Sequence, residues 1–110
     1  MKLADVPQGT IDWLRLARTV EPGESGRAVA RGRLLGDIRV RLVEYEAGYV
    51  ADHWCDKGHI LFVTDGELVI EHRDGVSYKL RAGMTWHVAD DAVAPHRVVC
   101  ERGATVFIVD

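Results

Sequence analysis

Cysteine is scarce in this sequence, with Cys55 and Cys100 the only two in 110 residues. Two are too few for the disulfide framework of a small secreted domain, so both are expected as thiols in a reducing compartment. A basic excess is missing as well. The formal charge of -3 provides no electrostatic footprint for nucleic acid or for an anionic membrane surface. No apolar run is long enough to span a bilayer, and the start, Met1 to Pro7, lacks the apolar core of a signal peptide. The cytoplasm is the expected location. Internal repeats, low-complexity tracts, a nucleotide fingerprint and an evident anion clamp are absent too, which leaves the substrate unread beyond a small organic molecule.

What is present is the composition of one folded domain over residues 1–110, with 47% apolar and 28% charged residues. Residues 11–18 alternate imperfectly and fit an edge strand better than a short helix, and residues 21–26 carry the turn formers of a loop. Arg39-Val40-Arg41-Leu42 alternates with period two. Its aliphatic face is expected to be core, and its charged face, with Glu44 and Glu46, solvated.

Short strand-like segments follow at 58–64, 67–73, 76–81, 84–89, 96–101 and 104–109. Asp65-Gly66 and Asp74-Gly75 are read as tight hairpin turns, while Ala82-Gly83 and Arg102-Gly103 punctuate the later strands. Many short strands with almost no helical periodicity predict an all-β, largely antiparallel sandwich or barrel.

The chemistry concentrates between Gly48 and His59. His53, Cys55 and His59 are three potential ligands for a borderline metal within seven residues. If 53–55 is extended, His53 and Cys55 share a face, and a turn at Asp56-Lys57-Gly58 brings His59 back beside them. His96, opening a later alternating strand, is the best fourth donor. Three nitrogens and one sulfur suit one divalent ion, zinc first, with iron, nickel, copper or manganese as alternatives.

The order Gly48, His53, Cys55, His59, Gly66 resembles the first motif of the cupin superfamily, which runs Gly, about five residues, His-x-His, three or four residues, Glu, six residues, Gly. Three residues separate Cys55 from His59 and six separate His59 from Gly66, and only the first gap is one residue short. Gly83 to His96 resembles the second motif in outline. It lacks the Pro-x-Gly, with Ala89-Asp90-Asp91-Ala92 in its place, and its interval is longer by about two residues, which the loop is expected to absorb.

The chain is also similar to small bacterial cupins of the DHCW-motif type, although it reads Asp52-His53-Trp54-Cys55. The resemblance implies a single jelly-roll β-barrel with metal ligands at His53, Cys55, His59 and His96, Cys replacing the second His and His59 the usual Glu. It further implies a homodimer, to which the segment around Trp13 can contribute. A small-molecule metalloenzyme of the dioxygenase or isomerase kind is the leading expectation for function. The alternative is a metal-dependent binding or sensing module without turnover.

Other residues carry weaker expectations. Cys100 is read as core filler. His72, near a hairpin end, is expected in solvent, and His87 on either face. Trp54 and Trp86 are packing residues or cavity walls, and Asp52, Tyr49 and Glu44 can hydrogen-bond ligand imidazoles or sit on the surface.

Overall fold

The computed structural model describes residues 3–91 and 95–110. Nine strands form it: β1 (Thr19–Pro22), β2 (Arg27–Leu35), β3 (Ile38–Tyr45), β4 (Tyr49–Val50), β5 (His59–His72), β6 (Ser77–Arg81), β7 (Thr85–Val88), β8 (His96–Cys100) and β9 (Ala104–Val109). Every pairing between them is antiparallel. The path runs β1-β2-β3-β9-β5-β8-β4, with β6 and β7 also pairing β5. The curled sheet closes on a core that includes Val43, Val63, Ile70, Val106 and Cys100, each nearly or wholly removed from solvent.

Strand β5 organises the rest. Its first half pairs β7 and β9, its second half β6 and β8. The expected hairpin at Asp65-Gly66 is instead a register shift between Val63 and Asp65 within one continuous strand. Asp-Gly supplies positive φ to a bulge as readily as to a turn, and Gly66 has φ 76°. A side chain there would also meet the Gly103 carbonyl oxygen at 2.2 Å.

The bulge changes which residues face inward. Before it, Leu61 and Val63 are buried; after it, Leu68, Ile70 and His72 are. One extra residue moves the inward set from odd to even positions. His72 is therefore buried, 7% exposed, and not in solvent as the hairpin reading suggested.

Asp74-Gly75 does turn β5 into β6, with Gly75 at φ 96°. Residues 11–18 are not a strand. Asp12 caps a short 3₁₀ turn at Trp13–Arg15 by accepting a hydrogen bond from the Leu14 amide, and capping by an Asx side chain outweighs imperfect alternation. The loop expected over 21–26 is shorter, because Glu21 and Pro22 pair with Ala28 and Arg27. Ala92, in the stretch expected to hold the extra length of the second motif, lies outside the described residues.

Strand β3 departs from the expected polarity on its arginine face only. Ile38 and Val40 are buried, yet the arginine face is covered too: the Arg41 side chain is 17% exposed and Arg39 41%. Both arginines line an interior cavity together with Tyr45. Alternation separates the arginines from Val40 and Leu42, but the exposed Glu44 falls on the opposite parity to Arg39 and Arg41; which face meets the interior depends on the neighbouring strands, and β9 places Asp110 opposite Arg39.

Candidate metal centre

Three strand ends and one loop converge on this cavity. The loop 51–58 is tied to β8 by the Ala51 amide, which donates to the Val98 carbonyl at 3.0 Å, and by an isolated bridge at the start of that strand: the Cys55 amide donates to the His96 carbonyl at 2.7 Å and the His96 amide to the Cys55 carbonyl at 2.9 Å. Residues directly opposed in such a pair carry neighbouring side chains. The loop then turns, tied by the Gly58 amide to the Asp90 carboxylate at 2.6 Å. It enters β5 at His59, whose Nε2 stands 3.5 Å from the Cys55 Sγ. One ligand atom each from Cys55, His59 and His96 lies within 4.8 Å of the others.

His53 does not join them. Its side chain is 75% exposed and its Nδ1 is 2.6 Å from its neighbour Asp52. The same-face argument required an extended 53–55, but 52–53 is a bend and only Cys55 takes a strand partner. His53 sits on the wall of the same cavity, away from the three-residue group.

His59 is held from behind. Its Nδ1 lies 2.8 Å from Asp110 Oδ2, in a contact where both side chains are about nine-tenths buried (10% and 8% exposed). Asp110 also accepts from Arg39 Nε and Nη2 at 2.8 and 3.1 Å and from Arg41 Nη2 at 3.0 Å. Burial raises the Asp110 carboxyl, but the Arg39 hydrogen bond and the charges of Arg41, Arg39 and His59 outweigh it and hold it down to about 2. An ionised Asp110 fixes the proton of His59 on Nδ1 and turns the Nε2 lone pair toward Cys55.

Burial, above all, lowers the pKa of His59, against the opposing pull of Asp110 and with the help of Arg41 and Arg39. His96 is pushed down to about 4, first by burial and then by His59 and His72, with Asp56 opposing. His96 is ringed by aromatic neighbours: Trp86 at 4.8 Å, His59 at 5.1 Å and His72 at 5.8 Å between ring centroids. Both candidate imidazole ligands are therefore neutral near pH 7, the form that binds metal. The donor set of one sulfur and two nitrogens, with a carboxylate behind one imidazole, fits a borderline divalent ion.

The cavity has a volume of about 570 Å³. Leu61, Ile70, Trp86 and Ile108 form apolar wall, and Tyr45 and Tyr49 also line it, their rings tilted by 42° with centroids 4.9 Å apart. Of the residues considered for support roles, Tyr49 lines the cavity, Asp52 is engaged by His53, and Glu44 is exposed and pairs with Arg31 at 3.4 Å. Trp54 packs under the guanidiniums of Arg97 and Arg73, at 4.5 and 5.5 Å from its ring centroid. His87 is exposed, and Cys100 fills the core with its thiol toward the Glu67 carbonyl at 3.5 Å.

Sequence reasoning missed Asp110, Arg39 and Arg41. The signal was available for Asp110: Ala104, Val106 and Ile108 are the buried face of β9, and Asp110 continues the same parity.

No family model matches the chain, and no curated protein matches it in sequence. Solved structures share its architecture. A sugar phosphate isomerase of the cupin superfamily from Silicibacter pomeroyi superposes with a TM-score of 0.73 at 20% identity, covering 92% of this chain and 74% of that one. The polyketide cyclase RemF from Streptomyces resistomycificus gives 0.71 at 16%, over 94% and 78%. An RmlC-like cupin from Shewanella frigidimarina gives 0.69 at 18%, over 96% and 91%. The chain has the cupin fold, an antiparallel jelly-roll barrel, and carries in it a Cys55, His59, His96 group able to hold a metal.

Proposed function

We propose that the chain binds one divalent metal ion, zinc by preference, through Cys55, His59 and His96, and acts with it as a small-molecule enzyme of the isomerase or dioxygenase kind. The observation that carries this reading is the convergence of the three donors at the cavity wall with His59 oriented by Asp110. Such an ion, when bound, supplies a Lewis acid for a carbonyl or enolate oxygen of the ligand.

The remaining work belongs to the protein. Asp110 holds the His59 proton at Nδ1, Arg39 and Arg41 keep Asp110 ionised, and the Leu61, Ile70 and Ile108 wall excludes water around the ligand. Three protein donors instead of four among the described residues favour chemistry over a closed structural site, because a catalytic centre keeps a position for its substrate. The isomerase and the cyclase that share the fold are enzymes of small organic molecules, which supports the same reading.

Elemental analysis of purified wild type beside Cys55→Ala, His59→Ala and His96→Ala tests it. One equivalent of metal in the wild type and loss in each variant is expected, and full occupancy in all three variants would sink the site. We also propose a homodimer, supported by the outward-facing Ile60 and Phe62, which are 44% and 40% exposed on β5. Sedimentation velocity of the purified chain tests it, with a monomer at all concentrations as the contrary result.

A further inference from the structure

Arg41 is a charged group of the cavity that is mostly covered yet has few partners among the described residues. A guanidinium has five N–H donors, and Arg41 makes one hydrogen bond among the described residues, from Nη2 to Asp110 Oδ2. That oxygen is already shared with Arg39 Nη2 and His59 Nδ1. The Arg41 Nε is buried with no acceptor, and the side chain is 17% exposed. A buried cation with so few acceptors is costly unless a further anion completes its shell.

The other charges of the wall do not supply one. Asp52 is taken by His53, and Arg97 is paired with Glu71 and Glu24. Glu21 lies on the exposed strand β1 and makes no ion pair among the described residues. Arg39 already spends its Nε and Nη2 on both oxygens of Asp110.

We propose that the cavity binds a small monocarboxylate, its carboxylate on the free Nη N–H groups of Arg41 and its apolar body against Leu61, Ile70 and Ile108. The planar fork of a guanidinium matches a carboxylate in two parallel hydrogen bonds. Phosphate is disfavoured by the same wall: of the other cations that line it, Arg39 and Arg97 are already paired with carboxylates and Lys57 is exposed, and the strands have committed their amides to the ladder. The inference rests on the reading of this cavity as the ligand site, and it does not depend on the metal.

The test uses protein stripped of metal and desalted, titrated by calorimetry with hexanoate and benzoate, each beside its neutral amide, and with inorganic phosphate. At least one carboxylate is expected to bind about tenfold or more tightly than its amide, and Arg41→Gln to abolish that preference. Equal binding of acid and amide, tighter binding of phosphate, or no heat from either carboxylate at about 10 mM overturns the proposal. Circular dichroism checks that the variant folds. Should Arg41→Gln unfold, Arg41→Lys carries the test: it keeps the charge without the fork and is expected to weaken the carboxylate several-fold while leaving the amide unchanged, and undiminished carboxylate binding overturns the proposal. Failure here with one equivalent of metal still held leaves the metal site standing, and carboxylate binding in a chain that holds no metal leaves this inference standing.

Discussion

Cys55 and His96 are 41 positions apart in the chain and directly opposed in space, their backbones exchanging hydrogen bonds of 2.7 and 2.9 Å in an isolated antiparallel bridge. This pairing brings His96 beside a thiol whose nearest imidazole, His59 at 3.5 Å, comes from the first motif itself. It anchors the one irregular segment of the site to β8, while His59 and His96 come from strand ends. Such a bridge positions the thiol through backbone bonds that a change of side chain leaves in place.

The variants of the first motif should therefore separate. Cys55→Ala is expected to fold with unchanged circular dichroism and to lose most of its metal on dialysis, whereas His53→Ala keeps the wild-type stoichiometry because that imidazole is exposed and turned to Asp52. Elemental analysis after dialysis measures both. Metal retained in Cys55→Ala but lost in His53→Ala would show that the loop rearranges on binding.

Asp110→Asn should be more damaging than its place at the end of a strand suggests. It leaves the guanidiniums of Arg39 and Arg41 without their shared carboxylate, and removing one member of a buried ionic group costs about 3 kcal/mol or more. In the wild type the depressed carboxyl contributes about 2 kcal/mol that is fully present above pH about 4 and is lost as pH falls through about 2. Urea melts of both proteins across that window read the difference. An Asn variant as stable as wild type, with the same acid limb, would refute the role given to Asp110.

Much of this was legible from the residues, for reasons that can be stated locally. Alternation in β3, β8 and β9 marks their faces, Asp74-Gly75 specifies a hairpin, and the Asp56-Lys57-Gly58 turn returns His59 to Cys55. Besides the local Asp12 cap that displaced the expected strand over 11–18, the failures came from carrying period two across an irregularity or a pairing that alternation does not show. The bulge at Val63/Asp65 buried His72, the pairing with β9 turned Arg39 and Arg41 inward, and the bend at Asp52-His53 took His53 off the Cys55 face. Period-two logic holds between such irregularities and not across them.

Gly66→Ala tests the bulge directly. The residue has φ 76°, and a methyl group would meet the Gly103 carbonyl oxygen at 2.2 Å, a backbone atom that cannot swing away. Strain in φ and this overlap together should cost about 3 kcal/mol or more, against about 1 kcal/mol for Gly75→Ala, where φ is 96° but the space is open. Thermal melts of the two variants compare them. Equal losses would mean that the close approach of Gly66 to Gly103 contributes nothing.

The pH dependence of the metal-free protein should be dominated by the centre itself. His96 has its pKa depressed from 6.5 to about 4, chiefly by burial and then by His59 and His72, so between those values the unfolded chain binds more protons than the folded one. Stability from this residue is fully present above pH about 6.5 and is lost as pH falls through about 4, amounting to about 3 kcal/mol at most. His59 is depressed in the same direction and steepens the loss. Metal steepens it again, because protons compete for the same imidazole lone pairs. Denaturation of stripped protein at intervals from pH 7 to pH 4 should show the decline, and His96→Gln should flatten it by half or more, since Gln takes up no proton on unfolding. A His96→Gln variant that keeps the full wild-type slope would mean that burial does not depress His96.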